Sequence, residues 1–126
     1  GRMRDITTLM DTTQGRPARF LEAPFGRGVN VDAGCLFART EGRVMHVAVE
    51  DHEVPVVHEV AVEQGATVAD DRECVVVPPG FPGGVAAIGT RVAEAGVTIN
   101  LAYFGASGQV VLSTTQLDKT REALGL

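Results

Sequence analysis

Residues 80–100 read GFPGGVAAIGTRVAEAGVTIN, and this stretch decides the fold that the rest of the chain must fit. Apolar side chains recur in it at spacings of three and four residues, the pattern of one buried helix stripe. They are Val85, Ile88, Val92 and Ala95. Gly96 is typical of a helix end, and the alternation from Val97 to Phe104 predicts a strand directly after it.

The neighbouring residues complete a small unit around this helix. Cys74 to Val77 predicts a strand before it, and Gly80 to Gly84 a loop. After it, Gln109 to Thr115 predicts the second strand of a hairpin, and Asp118 to Leu124 a short helix. The order is strand, helix, strand, strand, helix, and the unit lacks a closing strand of its own.

The first half of the chain repeats this unit, displaced by 68 residues. Residues 28–32 (GVNVD) align with residues 96–100 (GVTIN), and residues 4–6 (RDI) align with residues 72–74 (REC). A period this long with two copies indicates two related units rather than a solenoid. We therefore predict a first unit over residues 4–70 and a second over residues 71–126.

Local signals give the elements of the first unit. In chain order we predict a strand at Ile6–Met10, a short helix from Pro17 to about Ala23, a strand at Val29–Phe37, a turn at Thr40–Gly42, a strand at Arg43–Val49, a helix from Asp51 to Gly65 and a closing strand at Ala66–Ala69. The charged residues Asp70–Glu73 predict a solvated linker. The predicted fold class is α+β, a ferredoxin-like βαββαβ order with antiparallel sheets and helices on one face.

Composition restricts the class of protein. The chain has 126 residues, of which 44% are hydrophobic and 21% charged, as in soluble globular domains. A net charge of −5 with mixed signs argues against nucleic acid as a partner. No apolar run reaches membrane-spanning length and no secretory signal is present, so we expect a cytoplasmic protein without a membrane partner. The two cysteines, Cys35 and Cys74, predict reduced core residues rather than a disulfide scaffold.

Residues 82–88 (PGGVAAI) and 91–99 (RVAEAGVTI) resemble the ACT domain, and the distance from Gly83 to Gly96 matches that family. The distance from Gly15 to Gly28 matches it too, so the chain resembles a stand-alone tandem ACT protein. The resemblance implies a non-catalytic regulatory protein that binds a small molecule, most often an amino acid, between paired domains. It implies no cofactor and no metal.

The same resemblance places the ligand at the loop before the first helix and at the start of the second strand of each unit. The implied residues are Thr12, Thr13, Gln14, Gly15, Arg16, Asn30 and Asp32 in the first unit, and Gly80, Phe81, Pro82, Gly83, Thr98 and Asn100 in the second. Local chemistry agrees, because free N–H groups at a helix start favour a carboxylate. The side chains of Asn30 and Asn100 can hydrogen-bond a ligand, and Asp32 can hold an ammonium group.

Two other functions stay open at this stage. One is a structural or protein-interaction module with vestigial pockets. The other is a small metal-dependent enzyme of paired α+β units, for which His52, His58 and the acidic residues near them are the candidates. His46 lies in a strand, and His52 and His58 are too far apart in sequence to share a helix face. A solvated helix start is the simpler explanation of these residues.

The missing closing strand bears on assembly. It leaves the Cys74–Val77 strand with unpaired backbone on one side, which two units or two chains could cover. ACT modules usually associate side by side, so the resemblance implies a symmetric homodimer. A regulated enzyme is a further partner class, and nothing in the sequence identifies it.

Overall fold

The computed structural model describes residues 2–11, 28, 29, 31, 33–39 and 42–126. Its elements in chain order are β1 (Met3–Met10), β2 (Ala33–Arg39), β3 (Gly42–Glu50), a 3₁₀ helix (Asp51–Glu53), α1 (Val54–Glu63), β4 (Thr67–Val77), α2 (Gly84–Glu94), β5 (Ile99–Phe104), β6 (Val110–Thr114) and α3 (Leu117–Leu124). The helix predicted up to Ala23 and most of the turn predicted at Thr40–Gly42 lie outside the described residues.

All six strands form one antiparallel sheet in the order β2-β3-β1-β4-β6-β5. β1 lies inside the sheet, paired with β3 from Met3↔Glu50 to Met10↔Arg43 and with β4 on its other side. The strand order of the first unit is that of a ferredoxin-like sheet, with its closing strand beside its first strand. The α+β ferredoxin-like prediction is therefore confirmed.

β4 belongs to both units. Its first part, Thr67 to Cys74, pairs with β1, and its last part, Val75 to Val77, pairs with β6. The prediction of a solvated linker at Asp70–Glu73 is wrong, because these residues lie inside the strand. The closing strand of the first unit and the first strand of the second are one continuous strand, and the division at residue 70 stays a prediction.

A charge network explains how this polar segment can be a strand. The Arg4 guanidinium donates to Asp71 Oδ1 from Nε at 2.9 Å and from a terminal nitrogen at 2.8 Å, across the β1–β4 pair. Both side chains are about one quarter exposed. The hydrogen bond to Asp71 is the main cause that raises the pKa of Arg4. Cross-strand ion pairs of this kind stabilise adjacent strands.

The helices cover one face of the sheet in two places. α1 packs on the first unit with Val57, Val60 and Ala61, against Ile6 and Val47 of the strands. The helix predicted from Asp51 to Gly65 is present but shorter, because Asp51–Glu53 form the 3₁₀ helix and α1 begins at Val54. Pro55 lies in its first turn, and Gly65, at φ +71°, lies just beyond its end.

α2 and α3 cover the second unit. Ile88 and Val92 of α2 and Leu124 of α3 are buried against Val75 and Val77 of β4. Val85, the first residue of the predicted stripe, is 54% exposed, because it lies in the first turn of α2. The buried stripe is therefore shorter than the sequence predicts.

The opposite face of the sheet is also covered, because the sheet bends until its two edge strands meet. An antiparallel bridge joins Ala33 of β2 to Gly105 beyond β5. Residues from five strands form a third core on this inner face: Ala33, Ala48, Cys74, Tyr103 and Val111, with Met3 packed against them. The two units are therefore joined by a shared strand and by a shared core.

Candidate functional site

The loop that precedes α2 is built on glycines. Gly80 has φ +82° and Gly83 has φ +84°, a region that side chains disfavour and glycine adopts freely. The Gly84 N–H donates to the Phe81 carbonyl at 2.8 Å, which closes the turn into the helix. A Cβ on Gly80 or Gly84 would meet no atom within 4 Å, so open space lies beside the backbone at these two positions.

Phe81 anchors this loop. Its ring packs on the helix-side core of the second unit, and the Arg91 guanidinium lies over the ring at 5.2 Å from its centroid. Among the described residues, no side chain caps the start of α2. The Gly84 N–H is used by the turn, so the N–H groups of Val85 and Ala86 are the ones that an anion could bind, as the helix dipole favours.

The other two candidates of the second unit, Thr98 and Asn100, lie at the start of β5, away from the glycine loop. The Thr98 N–H donates to Thr115 Oγ1 at 3.3 Å, and the Thr98 carbonyl accepts from the Thr115 N–H at 3.1 Å. Asn100 is exposed near the start of the strand. The loop lies beside the opposite end of the β5–β6 hairpin, where a Cβ on Gly108 would come within 3.6 Å of Pro79.

The structure therefore separates the second-unit candidates into two groups. Gly80, Phe81, Pro82 and Gly83 stand at one end of α2, and Thr98 and Asn100 at the other. The 11 residues of α2 span about 16 Å. No free amino acid reaches both groups of one unit. The first-unit candidates Thr12, Thr13, Gln14, Gly15, Arg16, Asn30 and Asp32 lie outside the described residues.

A buried polar cluster on the inner face was not predicted from the sequence. The Tyr103 hydroxyl donates to Asp5 Oδ1 at 2.7 Å. His46 Nδ1 lies 3.2 Å from both oxygens of Asp5 and 3.2 Å from Thr7 Oγ1. Asp5 is fully buried and Tyr103 is 4% exposed. This cluster, named here the Asp5 cluster (Asp5, His46 and Tyr103), connects β1 and β3 of the first unit with β5 of the second.

One sequence signal could have found the Asp5 cluster. Asp5 precedes the core residue Ile6 in β1, so the alternation of a strand places it on the other face. A charged side chain on that face must either be exposed to solvent or have a buried partner. The partners themselves, 41 and 98 residues away, could not be paired with it without the sheet order.

On the inner face, the surroundings of Tyr103 and of the two cysteines disfavour the ionised forms of these side chains. Burial, with the negative charge and hydrogen bond of Asp5, raises the pKa of Tyr103. Burial raises the pKa of the Cys74 thiol to about 12 and also raises that of Cys35. Thiols of this kind are poor nucleophiles, because the thiolate is the reactive form.

The histidines named as metal candidates do not meet. His52 Nδ1 lies 3.2 Å from Glu50 Oε2, whereas His58 Nε2 lies 3.4 Å from Asp71 Oδ2. Glu50, His52 and Glu53 do offer ligand atoms within 4.8 Å of one another. These residues surround the short 3₁₀ helix at the surface, and the side chain of His52 is 75% exposed. Such groups of charged side chains are common at exposed helix starts.

A cavity of about 660 Å³ opens beside β4, at the point where β1 begins. This cavity, named here the edge cavity, is lined by Met3 of β1, Val75 and Val76 of β4, Pro78, and Arg121 of α3. None of the ligand-binding candidates named above lines it. Within the part of the chain that the structure describes, no helix is long and apolar enough to cross a membrane.

No family model and no curated protein matches this chain. Solved structures share its fold. A protein from Bacteroides thetaiotaomicron is 18% identical with a TM-score of 0.76, over 98% of this chain and 87% of that one.

Two further structures are described as the regulatory subunit of aspartate kinase. The Thermus thermophilus subunit, in its ligand-free form, is 18% identical with a TM-score of 0.69, over 98% of this chain and 89% of that one. The Thermus flavus subunit is 16% identical with a TM-score of 0.68, over 98% of this chain and 91% of that one. The likeness shows that this chain shares the fold of these structures.

Proposed function

We propose that this protein is a non-catalytic regulatory protein that senses an amino acid through its two ACT-like units. The observation that carries the proposal is the shared fold, which extends over 98% of the chain to regulatory subunits of aspartate kinase. The open glycine loop before α2 supports it locally. The high pKa of the Cys74 thiol agrees with a role other than nucleophilic catalysis.

The chemistry of the loop suits the carboxylate end of an amino acid. The first N–H groups of α2 point towards the loop, and the helix dipole favours a negative charge there. Gly80 and Gly84 leave the backbone open to close approach. A carboxylate bound by main-chain N–H groups needs no basic side chain, which fits the sequence of this loop.

The ammonium end requires a second set of groups. Thr98 and Asn100 supply oxygens, but they stand at the other end of α2. The amino acid therefore lies between units or between chains, with the glycine loop of one unit and the strand start of another on either side. A ligand in that position favours the paired arrangement of the units, and this difference in affinity is the basis of its regulatory effect.

A thermal-shift screen of the twenty amino acids tests the proposal, followed by calorimetric titration of any that respond. A ligand that binds only the folded state adds about 2.7 kcal/mol of stability at 100 times its Kd. We expect a dose-dependent rise in Tm with one amino acid or a small group. The rise should be lost or strongly reduced in Asn100→Ala or Asn30→Ala. Lys119→Ala, an exposed change on α3, is the matched control and should leave the response intact.

Two results would contradict the proposal. A response to divalent metals alone would favour the metal-dependent enzyme, with Glu50, His52 and Glu53 as the first residues to substitute. No response to any amino acid, with the control variant still folded, would favour the protein-interaction module.

A further inference from the structure

Each unit has a hydrophobic core of its own on the helix side of the sheet. The first-unit core contains Ile6 and Val60, and the second-unit core contains Val77 and Val92. Within the described ranges, the two cores have no residue in common. Each unit can therefore keep its own core while the angle between the units changes.

β4 is the main-chain connection between the units, and its hydrogen-bonded neighbour changes within it. β1 pairs with β4 as far as Cys74, and β6 pairs with β4 from Val75 onwards, on the opposite side. The pairs with β1 and the pairs with β6 therefore do not overlap along β4. A change of backbone angle between Cys74 and Val75 leaves both sets of pairs in place.

The units touch again where the two edge strands meet. Ala33 of β2 forms an antiparallel bridge with Gly105, and the Tyr103 hydroxyl of β5 donates to Asp5 Oδ1 at 2.7 Å. These two contacts are named here the latch (Ala33, Gly105, Tyr103 and Asp5). Apart from Tyr103, the buried apolar side chains of the core on the inner face are small, namely those of Ala33, Ala48, Cys74 and Val111. Little apolar area therefore holds the two units together on this face.

Asp5 gives the latch a polar character. Its carboxyl group is fully buried and is held by Tyr103 and by His46, whose Nδ1 lies 3.2 Å from both oxygens. A buried carboxyl group that loses a donor is destabilised until another donor replaces it, and water reaches Asp5 only if the inner face opens. Intermediate arrangements, with the hydrogen bond broken and water excluded, are therefore disfavoured. This favours two discrete arrangements, one closed and one open, over a gradual displacement.

The turn after β5 carries one side of the latch. The Gly105 N–H donates to the Gln109 carbonyl at 2.8 Å, and the Gly108 N–H donates to the Gly105 carbonyl at 3.2 Å, so the turn is held by its own main chain. A Cβ on Gly108 would lie 3.6 Å from Pro79, which directly precedes the glycine loop. Through this turn, a displacement of the glycine loop acts on Gly105 and on its bridge with Ala33.

We propose that the two units form a hinge, in which the second unit turns about the Cys74–Val75 link of β4 and the latch holds the closed arrangement. In the open arrangement both latch contacts are broken and water enters the inner face, while the two helix-side cores stay formed. The open arrangement is populated in the ligand-free chain, because segments joined by few buried apolar contacts open at a lower free energy than the whole chain unfolds. One further step rests on the proposed function: a ligand at the glycine loop regulates by favouring one of the two arrangements.

Reaction of the Cys74 thiol with DTNB measures the opening, because Cys74 is only 1% exposed and lies in the core of the inner face. In a Cys35→Ala background, its labelling rate relative to that of the unfolded chain gives the population in which the thiol is accessible. We expect this population to exceed the unfolded fraction, measured for the same variant in urea, by about ten-fold or more. Val92→Cys, in a background of Cys35→Ala and Cys74→Ala, is the control and should react only through unfolding. A Cys74 population equal to the unfolded fraction would overturn the proposal.

Two substitutions separate hinged opening from unfolding. Tyr103→Phe removes a latch contact, so it should raise the Cys74 labelling rate about ten-fold, the change that corresponds to one buried hydrogen bond. Ile88→Val weakens the helix-side core of the second unit, which the open arrangement keeps. It should lower the free energy of unfolding in urea and leave the Cys74 labelling rate unchanged. An increase with Ile88→Val that matches its loss of stability, or no increase with Tyr103→Phe, would refute the hinge.

A pair of glycine substitutions tests the connection with the glycine loop. Gly108→Ala and Gly125→Ala both place a side chain at positive φ, at +88° and +71° respectively. Of the two positions, Gly108 alone lies in the turn that carries Gly105, and its new Cβ would contact Pro79. We expect Gly108→Ala to raise the Cys74 labelling rate several-fold and Gly125→Ala to leave it unchanged. Equal rates in the two variants would contradict the connection, whether or not any amino acid binds.

Discussion

Tyr103→Phe is the sharpest test of how the two units are held together. The substitution removes one hydroxyl from the Asp5 cluster and keeps the ring that packs beside His46, at 5.9 Å between centroids. Tyr103 lies in the second unit and Asp5 in the first, so the lost hydrogen bond is one that spans the two units.

The magnitude follows from burial. Asp5 is fully buried, so water cannot replace the donor that is lost. A buried acceptor left without its partner costs about 1–3 kcal/mol. The contact of His46 Nδ1 with both carboxyl oxygens remains, which places the expected loss near 2 kcal/mol. For a chain of this size, Tm should fall by roughly 4 °C for each kcal/mol.

Urea unfolding followed by circular dichroism measures the change, with the slope of the transition checked against the wild type. Asn100→Ala, an exposed change on the same strand, is the control and should stay within about 0.5 kcal/mol. A double-mutant cycle with Asp5→Leu isolates the pair, because Tyr103→Phe should cost much less once the carboxyl group is gone. The reasoning fails if Tyr103→Phe is neutral in the wild type, or if it costs the same with and without Asp5.

Two further predictions concern pH and the backbone. The folded-state pKa of Cys74 is raised from 9.0 to about 12, so its contribution to stability is complete below pH 9 and is lost as pH rises towards 12. Urea unfolding across that range should show a loss of about 1.4 kcal/mol per pH unit that Cys74→Ala removes, and an unchanged slope would contradict this. Gly42→Ala should cost on the order of 3 kcal/mol, because φ is +142° and the new Cβ would lie 2.3 Å from a main-chain oxygen of β1. Gly96→Ala, at φ +74° with no atom within 4 Å, should cost only about 1–2 kcal/mol in the same unfolding assay, and equal costs would refute the clash.

The sequence predicts the elements that depend on local periodicity. α3 begins one residue before its predicted start, and α1 lies within its predicted range, because proline and glycine signals act within a few residues. The Asp5 cluster is different, because its members come from three strands and meet only after the sheet bends. Likewise, the two groups of second-unit candidates belong to the same repeat unit of the sequence, but they stand at opposite ends of α2. A sequence motif alone does not show this separation.

The continuous strand β4 shows where pattern reasoning failed and what could have corrected it. The charges at Asp70–Glu73 indicate a linker only if each residue is considered alone. Arg4 is aligned with Arg72 by the repeat, so the second unit must begin its first strand there. Residues 66–71 are then enough for the closing strand of the first unit, but no residues remain for a turn between that strand and the next. The closing strand of the first unit must therefore run directly into the first strand of the second.

That continuity has a consequence for how the two units are joined. β1 of the first unit pairs with β4 from Leu9↔Thr67 to Met3↔Cys74. Val75 to Val77, the last three residues of the same strand, pair with β6 of the second unit. Each unit thus uses a different part of β4, and the six strands form one sheet because β4 passes from one unit to the other without a break. A substitution that disturbs β4 is therefore expected to destabilise both units at once.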